Sequence, residues 1–337
     1  MIQDAIKKLI DRIDLTAEET EACFTEIMEG NAAPSQIAAF LTALRVKGET
    51  IEEITNAAKV MRAKSIKIDV RENSNEIVVD TCGTGGSLIP TFNISTAVAF
   101  VVAGCGIKVA KHGNRSASGR CGSADVLEAL GVNINLPPEK VTECIKELGI
   151  GFLFAPLYHP AMKFAAPVRK ELGIRTIFNI LGPISNPANA SAQLVGVSNP
   201  ELTEVIADVL KNLGTKSALV VHGLDGKDEI SITGETKLTE LKDGKIRTFL
   251  TVPEEHGFKR QTIGSLKCKG VKENAEALLK TLKGEKGPYR DAVLLNSAYA
   301  LYISGVKGDI HSCLKEAEDS IDSGRAMKKL NRLRKLT

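Results

Sequence analysis

Two short segments of this chain carry residue types suited to holding anions. Gly83-Thr84-Gly85-Gly86 follows the β-branched run Ile77-Val78-Val79, and Lys111-His112-Gly113-Asn114-Arg115-Ser116 follows Ile107-Lys108-Val109. Both read as loops leaving the ends of strands. Glycine lets backbone approach a ligand closely, and N–H groups opening towards a helix N-terminus suit phosphate. Lys111 and Arg115 add countercharges. Two such loops from neighbouring strands point to a substrate with phosphates at separate points. The first is neither a Walker loop nor a dinucleotide fingerprint, because the later glycine or Gly-Lys is missing. Asp228-Glu229, just beyond Val220-Val221-His222-Gly223, reads alone as an ordinary acidic turn on the surface.

The elements that must position these loops are legible as patterns. Ile2, Ala5, Ile6, Leu9, Ile10 and Ile13 keep the helical period, as do Thr20, Cys23, Phe24, Ile27 and Met28, then Ile37, Phe40, Leu41 and Leu44. Thr16 with Glu19 and Thr50 with Glu53 are capping-box starts, and Gly30 and Gly48 are stops. A small helical domain is expected, ended by the polar run Asp69 to Glu76. Strand and helix then alternate: Ile77–Asp80, helix Asn93–Ala103, Ile107–Ala110, helix Ser123–Leu130. Gln193–Val197, a helix from Pro200 to Leu213 capped by Asn199, and Ser217–Val221 continue the series. A helix is also expected over Met162–Leu172. This alternation predicts an α/β domain with a mostly parallel central sheet flanked by helices. Lys237 to Val252 adds a hairpin turning at Asp243-Gly244.

Composition narrows the function classes. The chain has 337 residues, with length for about two domains, and a net charge of +3 that does not itself imply nucleic acid. Its longest apolar stretch, Ala97 to Ile107, contains two glycines and is too short for a bilayer. The start alternates apolar and charged residues, unlike a signal peptide, so a cytoplasmic protein is expected. Seven cysteines without a close pair match no disulfide framework or zinc site, and Cys82 and Cys121 read as packing residues. Arg325, Lys328, Lys329, Arg332, Arg334 and Lys335 read as the solvated face of a last helix.

The order of motifs also carries a resemblance. Gly83 to Gly86, Thr91-Phe92-Asn93-Ile94-Ser95-Thr96, Lys111 to Ser116 and Gly122-Ser123-Ala124-Asp125 come first. Pro167-Val168-Arg169, Arg175-Thr176-Ile177-Phe178-Asn179, Leu181-Gly182-Pro183 with Asn186-Pro187, and Asp228-Glu229 follow. Together they resemble the anthranilate phosphoribosyltransferases of tryptophan biosynthesis, over nearly the whole chain. The resemblance implies a helical domain over residues 1–70, joined by a helical return around 164–184, and an α/β phosphoribosyl-binding domain over 75–337. It implies transfer of phosphoribosyl from phosphoribosyl pyrophosphate to anthranilate, with two magnesium ions per monomer.

By the same resemblance, the donor would be held by Gly83, Gly86, Ser87, Thr91, Asn93, Ile94, Ser95, Thr96, Lys111, His112, Gly113, Asn114, Arg115, Ser116, Ala117, Ser118, Gly119 and Ser123. Anthranilate would fall to Gly83, Asn114 and Arg169, and metal to Ser95, Asp228 and Glu229. No covalent nucleophile is expected. Lys111 and His112 would position the reactants, because an aromatic amine is already a competent neutral nucleophile. A homodimer through the helical domain is expected, with no nucleic acid or membrane partner. The family usually has aspartate directly after the two glycines, where this chain has Ser87 followed by Leu88-Ile89-Pro90. A pyrimidine-nucleoside phosphorylase-like enzyme and a non-catalytic nucleic-acid-binding homologue are the alternatives.

Overall fold

Four helices open the chain: α1 (Ile2–Ile10), α2 (Ala17–Met28), α3 (Pro34–Lys47) and α4 (Ile51–Ala63). In this computed structural model, which describes residues 1–87, 91–116 and 121–337, both expected capping boxes form. Thr16 and Glu19 exchange bonds ahead of α2, and Thr50 and Glu53 do so ahead of α4. Gly48 ends α3 with a positive φ of 94°. Phe24 sits edge-on to Phe40 at 5.7 Å and to Phe178 at 5.8 Å, so the helices share one core with a distant segment.

The remaining elements run β1 (Val78–Gly83), α5 (Ile94–Gly104), β2 (Lys108–Gly113), α6 (Ser123–Ala129), α7 (Pro138–Leu148) and β3 (Ile150–Phe154). After them come α8 (Ala155–Tyr158), α9 (Ala166–Leu172), α10 (Ile177–Leu181), β4 (Ala192–Gly196), α11 (Leu202–Asn212) and β5 (Ser217–Gly223). The hairpin β6 (Thr236–Lys242) and β7 (Lys245–Thr251) precedes α12 (Gly270–Leu282), α13 (Pro288–Ile303), α14 (Ile310–Asp322) and α15 (Arg325–Leu336). Among the described residues the strands form one sheet in the order β3-β2-β1-β4-β5-β6-β7. The first five are parallel, and β6 and β7 add antiparallel at one edge. The hairpin turns at Asp243 and Gly244, with φ of 50° and 72°, the pair of positive values that a two-residue turn requires.

Helices cover both faces of the sheet. α5 is buried on nearly every side, between the sheet and α13, α14 and α15, so its all-round apolar character reflects core position. On the other face, α3 and α4 meet α9, α10 and α11, and Ala165, Val168, Ile177 and Leu181 enter the helical core.

Two strands extend further than expected. Gly83 pairs with Gly196, and Lys111, His112 and Gly113 pair with Phe152, Leu153 and Phe154. Part of each anticipated loop is therefore the last ladder-bonded turn of a strand. β3 itself, in the run Ile150-Gly151-Phe152-Leu153-Phe154, was not anticipated, nor were α12 to α14. The helix expected from Met162 begins only at Ala166, after a 3-10 turn over Pro160–Lys163.

Candidate active site

Sheet order reverses between β1 and β4: the chain steps outward through β2 and β3 on one side and through β5 on the other. Crevices at the carboxyl ends of strands beside such a reversal are where open α/β sheets take ligands. Gly83 and Gly196 are the paired last residues of those two strands. A Cβ on Gly196 would lie 1.6 Å from the Asp228 carbonyl oxygen, and one on Gly83 would lie 2.8 Å from its Oδ2. The missing side chains let the loop after β5 fold down over the strand ends.

That packing corrects the surface-turn reading of Asp228-Glu229. Both residues are half-buried, and together with Ser95, Thr81, Cys82 and Gly196 they line a cavity of about 20 Å³. The Glu229 Oε2 atom is sealed from solvent with no hydrogen-bond partner. Burial pushes its carboxyl well above the usual range, and the neighbouring Asp228 charge adds to the shift. Burial also raises Asp228, although the nearby Gly85 N–H favours its charged form. Lys111 is likewise no surface lysine: its Nζ donates to the Thr81 carbonyl and to Ser95 Oγ at 3.3 Å, and burial lowers its pKa.

His112, the next residue, projects to the opposite face of β2. Its backbone N–H donates to Asp80 Oδ1 at 3.1 Å, while Asn186 Nδ2 donates to Asp80 Oδ2 at 2.8 Å. The His112 ring lies 5.1 Å from that of His159, and its Nε2 has no partner. Burial pulls the ring down to about 3, so it is neutral at ordinary pH.

The other expected residues divide by position. Thr96 Oγ1 donates to Ser123 Oγ at 3.1 Å, tying the starts of α5 and α6 together. Asn93 donates its N–H to Asn274 Oδ1 at 3.0 Å and its Nδ2 to the Cys121 carbonyl, while its buried Oδ1 has no partner. The Ile94 side chain is core and its N–H donates to the Phe92 carbonyl at 2.8 Å, and Thr91 bridges to Lys267. Asn114 is exposed, and Ser116 donates its N–H to Asp125. Ser87 Oγ donates to the Gly226 carbonyl at 3.4 Å, joining the glycine loop to the acidic one. Arg169 stacks over the Phe178 ring at 5.2 Å, partly buried on α9. Ala117, Ser118 and Gly119 lie outside the described residues.

Two cationic expectations change. Arg115 is no ready countercharge, since its guanidinium holds Glu128 at 2.5 and 2.9 Å and Asp125 at 3.0 Å. The last helix is not simply solvated. Lys329 donates to the Leu148 carbonyl and Arg334 to that of Leu130, at the ends of α7 and α6. Capping of helix ends uses those charges.

Arg175 is the neighbour that residue-by-residue reading left without a role. Its Nη1 donates to the Gly85 carbonyl at 3.0 Å and its Nη2 to the Thr84 carbonyl at 3.1 Å. Only its place within a motif pointed to it, because contacts to main-chain atoms leave no pairing pattern in sequence.

Whether a metal fits can be judged from the donors. Two carboxylates and a hydroxyl converge on one cavity, and one carboxylate oxygen lacks any protein partner. Among the described residues no group of three His, Cys, Asp or Glu side chains could hold an ion. An incomplete all-oxygen set suits magnesium, which keeps waters and shares the phosphates of its ligand.

The comparisons with known proteins agree over the whole chain. Residues 3–65 match the helical bundle domain of the glycosyl transferase family and residues 75–327 match its a/b domain. A protein of Acetivibrio thermocellus named anthranilate phosphoribosyltransferase is 53% identical, covering 98% of this chain and 95% of its own. The crystal structure of anthranilate phosphoribosyltransferase from Thermus thermophilus superposes with a TM-score of 0.92 at 43% identity, covering 99% of both chains. The Saccharomyces cerevisiae enzyme in complex with PRPP and Mg gives 0.91 at 28% identity, covering 99% and 97%. That yeast enzyme is also solved with 4-fluoroanthranilate. With the glycine-ended strands, the acidic loop above them and relatives matched end to end, the chain belongs to the anthranilate phosphoribosyltransferase family.

Proposed function

We propose that this protein joins the amine of anthranilate to ribose C1 of phosphoribosyl pyrophosphate in tryptophan biosynthesis. A C1–N bond forms, the C1–O bond to pyrophosphate breaks, and the amine loses a proton. The observation that carries the reading is the convergence of Ser95, Asp228 and Glu229 on one cavity beside the glycine strand ends and Lys111. Little covalent help is needed for such a step, so catalysis is positioning and charge screening. Bound magnesium, two ions per monomer in this reading, supplies screening of the diphosphate as it leaves.

The chain's own residues do the rest. Ser95, Asp228 and Glu229 offer the oxygen ligands. Gly83 and Gly86 let backbone approach the diphosphate, with Ser87, Thr91, Asn93, Ile94, Thr96, Gly113, Ser116 and Ser123 around the donor. Lys111, already turned to Ser95, brings positive charge to the same cavity. Arg169 and Asn114 receive the anthranilate carboxylate side, for which a guanidinium fork is apt. His112, neutral and buried behind β2, shapes the acceptor side rather than moving a proton. Two copies associate through the helical domain, whose Ile10, Ile13 and Val46 remain exposed after α9 to α11 have covered its other apolar faces. The enzyme is cytoplasmic in this reading; no helix among the described residues is long and apolar enough to cross a membrane.

The test is loss of anthranilate fluorescence on incubation with phosphoribosyl pyrophosphate across a magnesium titration. Absence of turnover at every magnesium concentration would sink the proposal. A monomer mass by sedimentation at micromolar concentration would remove the dimer.

A further inference from the structure

The glycine loop is held through its carbonyls by a side chain distant in sequence. Arg175 lies between α9 and α10, in the stretch that packs on the helical bundle, and its two Nη atoms take the Thr84 and Gly85 carbonyls. A trans peptide is planar, with its C=O and N–H pointing in opposite directions. Fixing the Thr84 carbonyl therefore turns the Gly85 N–H the other way, on the side of the Asp228 carboxylate. By the same geometry, fixing the Gly85 carbonyl turns the Gly86 N–H away from Arg175. Both glycines hold positive φ, 62° and 89°, a backbone shape that resists L side chains. At Gly86 a Cβ would also lie 2.1 Å from Arg175 Nη1, so the guanidinium lies directly against the loop.

We propose that Arg175 is a positioning residue that pins the Thr84 and Gly85 carbonyls and so aims the Gly85 and Gly86 N–H groups at an anionic phosphate of the donor. In the ligand-free molecule the first of those N–H groups has the Asp228 carboxylate as its neighbour. Arg175 itself does not meet the donor; it acts through the loop. A flat two-pronged donor is required, because a lysine ammonium is a single point that does not span two carbonyls in a fixed plane. The inference rests on the donor being phosphoribosyl pyrophosphate, and its test separates the two ideas.

Arg175→Met, Arg175→Lys and Gly86→Ala are compared with the unchanged protein. Amide hydrogen exchange of the ligand-free protein is followed at Gly85 and Gly86. Calorimetric titration with phosphoribosyl pyrophosphate and magnesium gives donor affinity, and steady-state rates give the two KM values. Arg175→Met should speed exchange at both amides and weaken donor binding roughly tenfold, the scale of one charge-assisted hydrogen bond. Anthranilate KM should stay within about twofold, unlike a general loss of packing, which moves both. Lysine should restore less than half of the lost affinity. Gly86→Ala should reproduce the defect and add little to it in the double variant, since both changes break one contact.

Unaltered exchange at Gly85 and Gly86 in Arg175→Met overturns the pinning. Faster exchange with unchanged donor affinity overturns its role in donor binding. Should Arg175→Met not fold, Gly86→Ala decides by the same two readouts. An unchanged protein that does not bind phosphoribosyl pyrophosphate at all overturns the donor assignment, while the exchange data still decide whether Arg175 holds the loop.

Discussion

Two carboxylates on either side of β4, one within β1 and one in the loop after β5, behave as opposites. Asp80, within β1, accepts from the His112 N–H and the Asn186 amide, one donor on each oxygen. Glu229, beyond β5, has an oxygen sealed from solvent with no donor at all. Burial raises the pKa of both. The difference is in satisfaction: a carboxylate whose lone pairs are taken by protein is scaffold, whereas an orphaned one is open to a partner from outside. β2 sorts the two environments, since Lys111 faces Ser95 and the cavity while His112 faces His159 and the Asp80 network.

Breaking each carboxylate should separate activity from stability. Asp228→Ala with Glu229→Ala should cut turnover on the order of a thousandfold and raise the magnesium requirement. The melting temperature should stay within a few degrees, because the Glu229 Oε2 has no donor to lose and Asp228 is only half-buried. Unaltered magnesium dependence in the folded double variant would put the metal elsewhere. Asp80→Ala should do the reverse, costing about 3 kcal/mol by leaving buried donors unpaired, with the magnesium optimum unmoved. Urea unfolding and a magnesium titration of that variant check the contrast, and a shifted optimum with full stability would reverse the two assignments.

Acid sharpens the scaffold side. Burial lowers His112 to about 3 and His159 to about 4, against about 6.5 for an unfolded histidine. Above about pH 6.5 neither state takes up a proton there, so these groups leave stability flat. As pH falls below that value the unfolded chain gains protons that the native one refuses. Stability should then drop, by at most ~1.4 kcal/mol per pH unit for each ring, until the folded pKa is reached. His112→Gln should make the slope between pH 6.5 and about 4 shallower in urea titrations, and an unchanged slope would contradict the assignment.

The smallest effect belongs to Ser87, whose hydroxyl meets the Gly226 carbonyl of the acidic loop. Ser87→Asp adds negative charge beside Asp228 and Glu229. It should shift the magnesium optimum and donor KM by a few-fold, with less change in anthranilate KM. A change confined to anthranilate would place Ser87 on the acceptor side.

Much of this was legible in sequence because it is local. Capping residues three apart, the Asp243-Gly244 turn and β-branched runs before glycines each carry their own structural consequence. The bundle with its parallel sheet followed from alternating patterns. Burial of Asp228 and Glu229 was not legible, because it depends on Gly83 and Gly196 lacking side chains at a distant pair of strand ends. The Asp80 network joins residues 32 and 106 positions apart, and Arg175 reaches main-chain oxygens about 90 positions away. β3 escaped because a five-residue apolar run between helices fits a buried turn of helix as well as a strand.

The pairing of β1 with β4 also bears on how the molecule forms. The bond from the Val78 N–H to Ser191 closes a span of 113 residues, and the cavity draws on Thr81, Ser95, Gly196, Glu229 and Asn296. Contacts so far apart along the chain cost loop entropy before they return any stability, and parallel sheets built from them fold slowly. The cavity thus has no local nucleus and exists only once the centre of the sheet has assembled. During refolding, donor binding should appear with the last phase of sheet formation, long after the capped N-terminal helices have reached their native helicity.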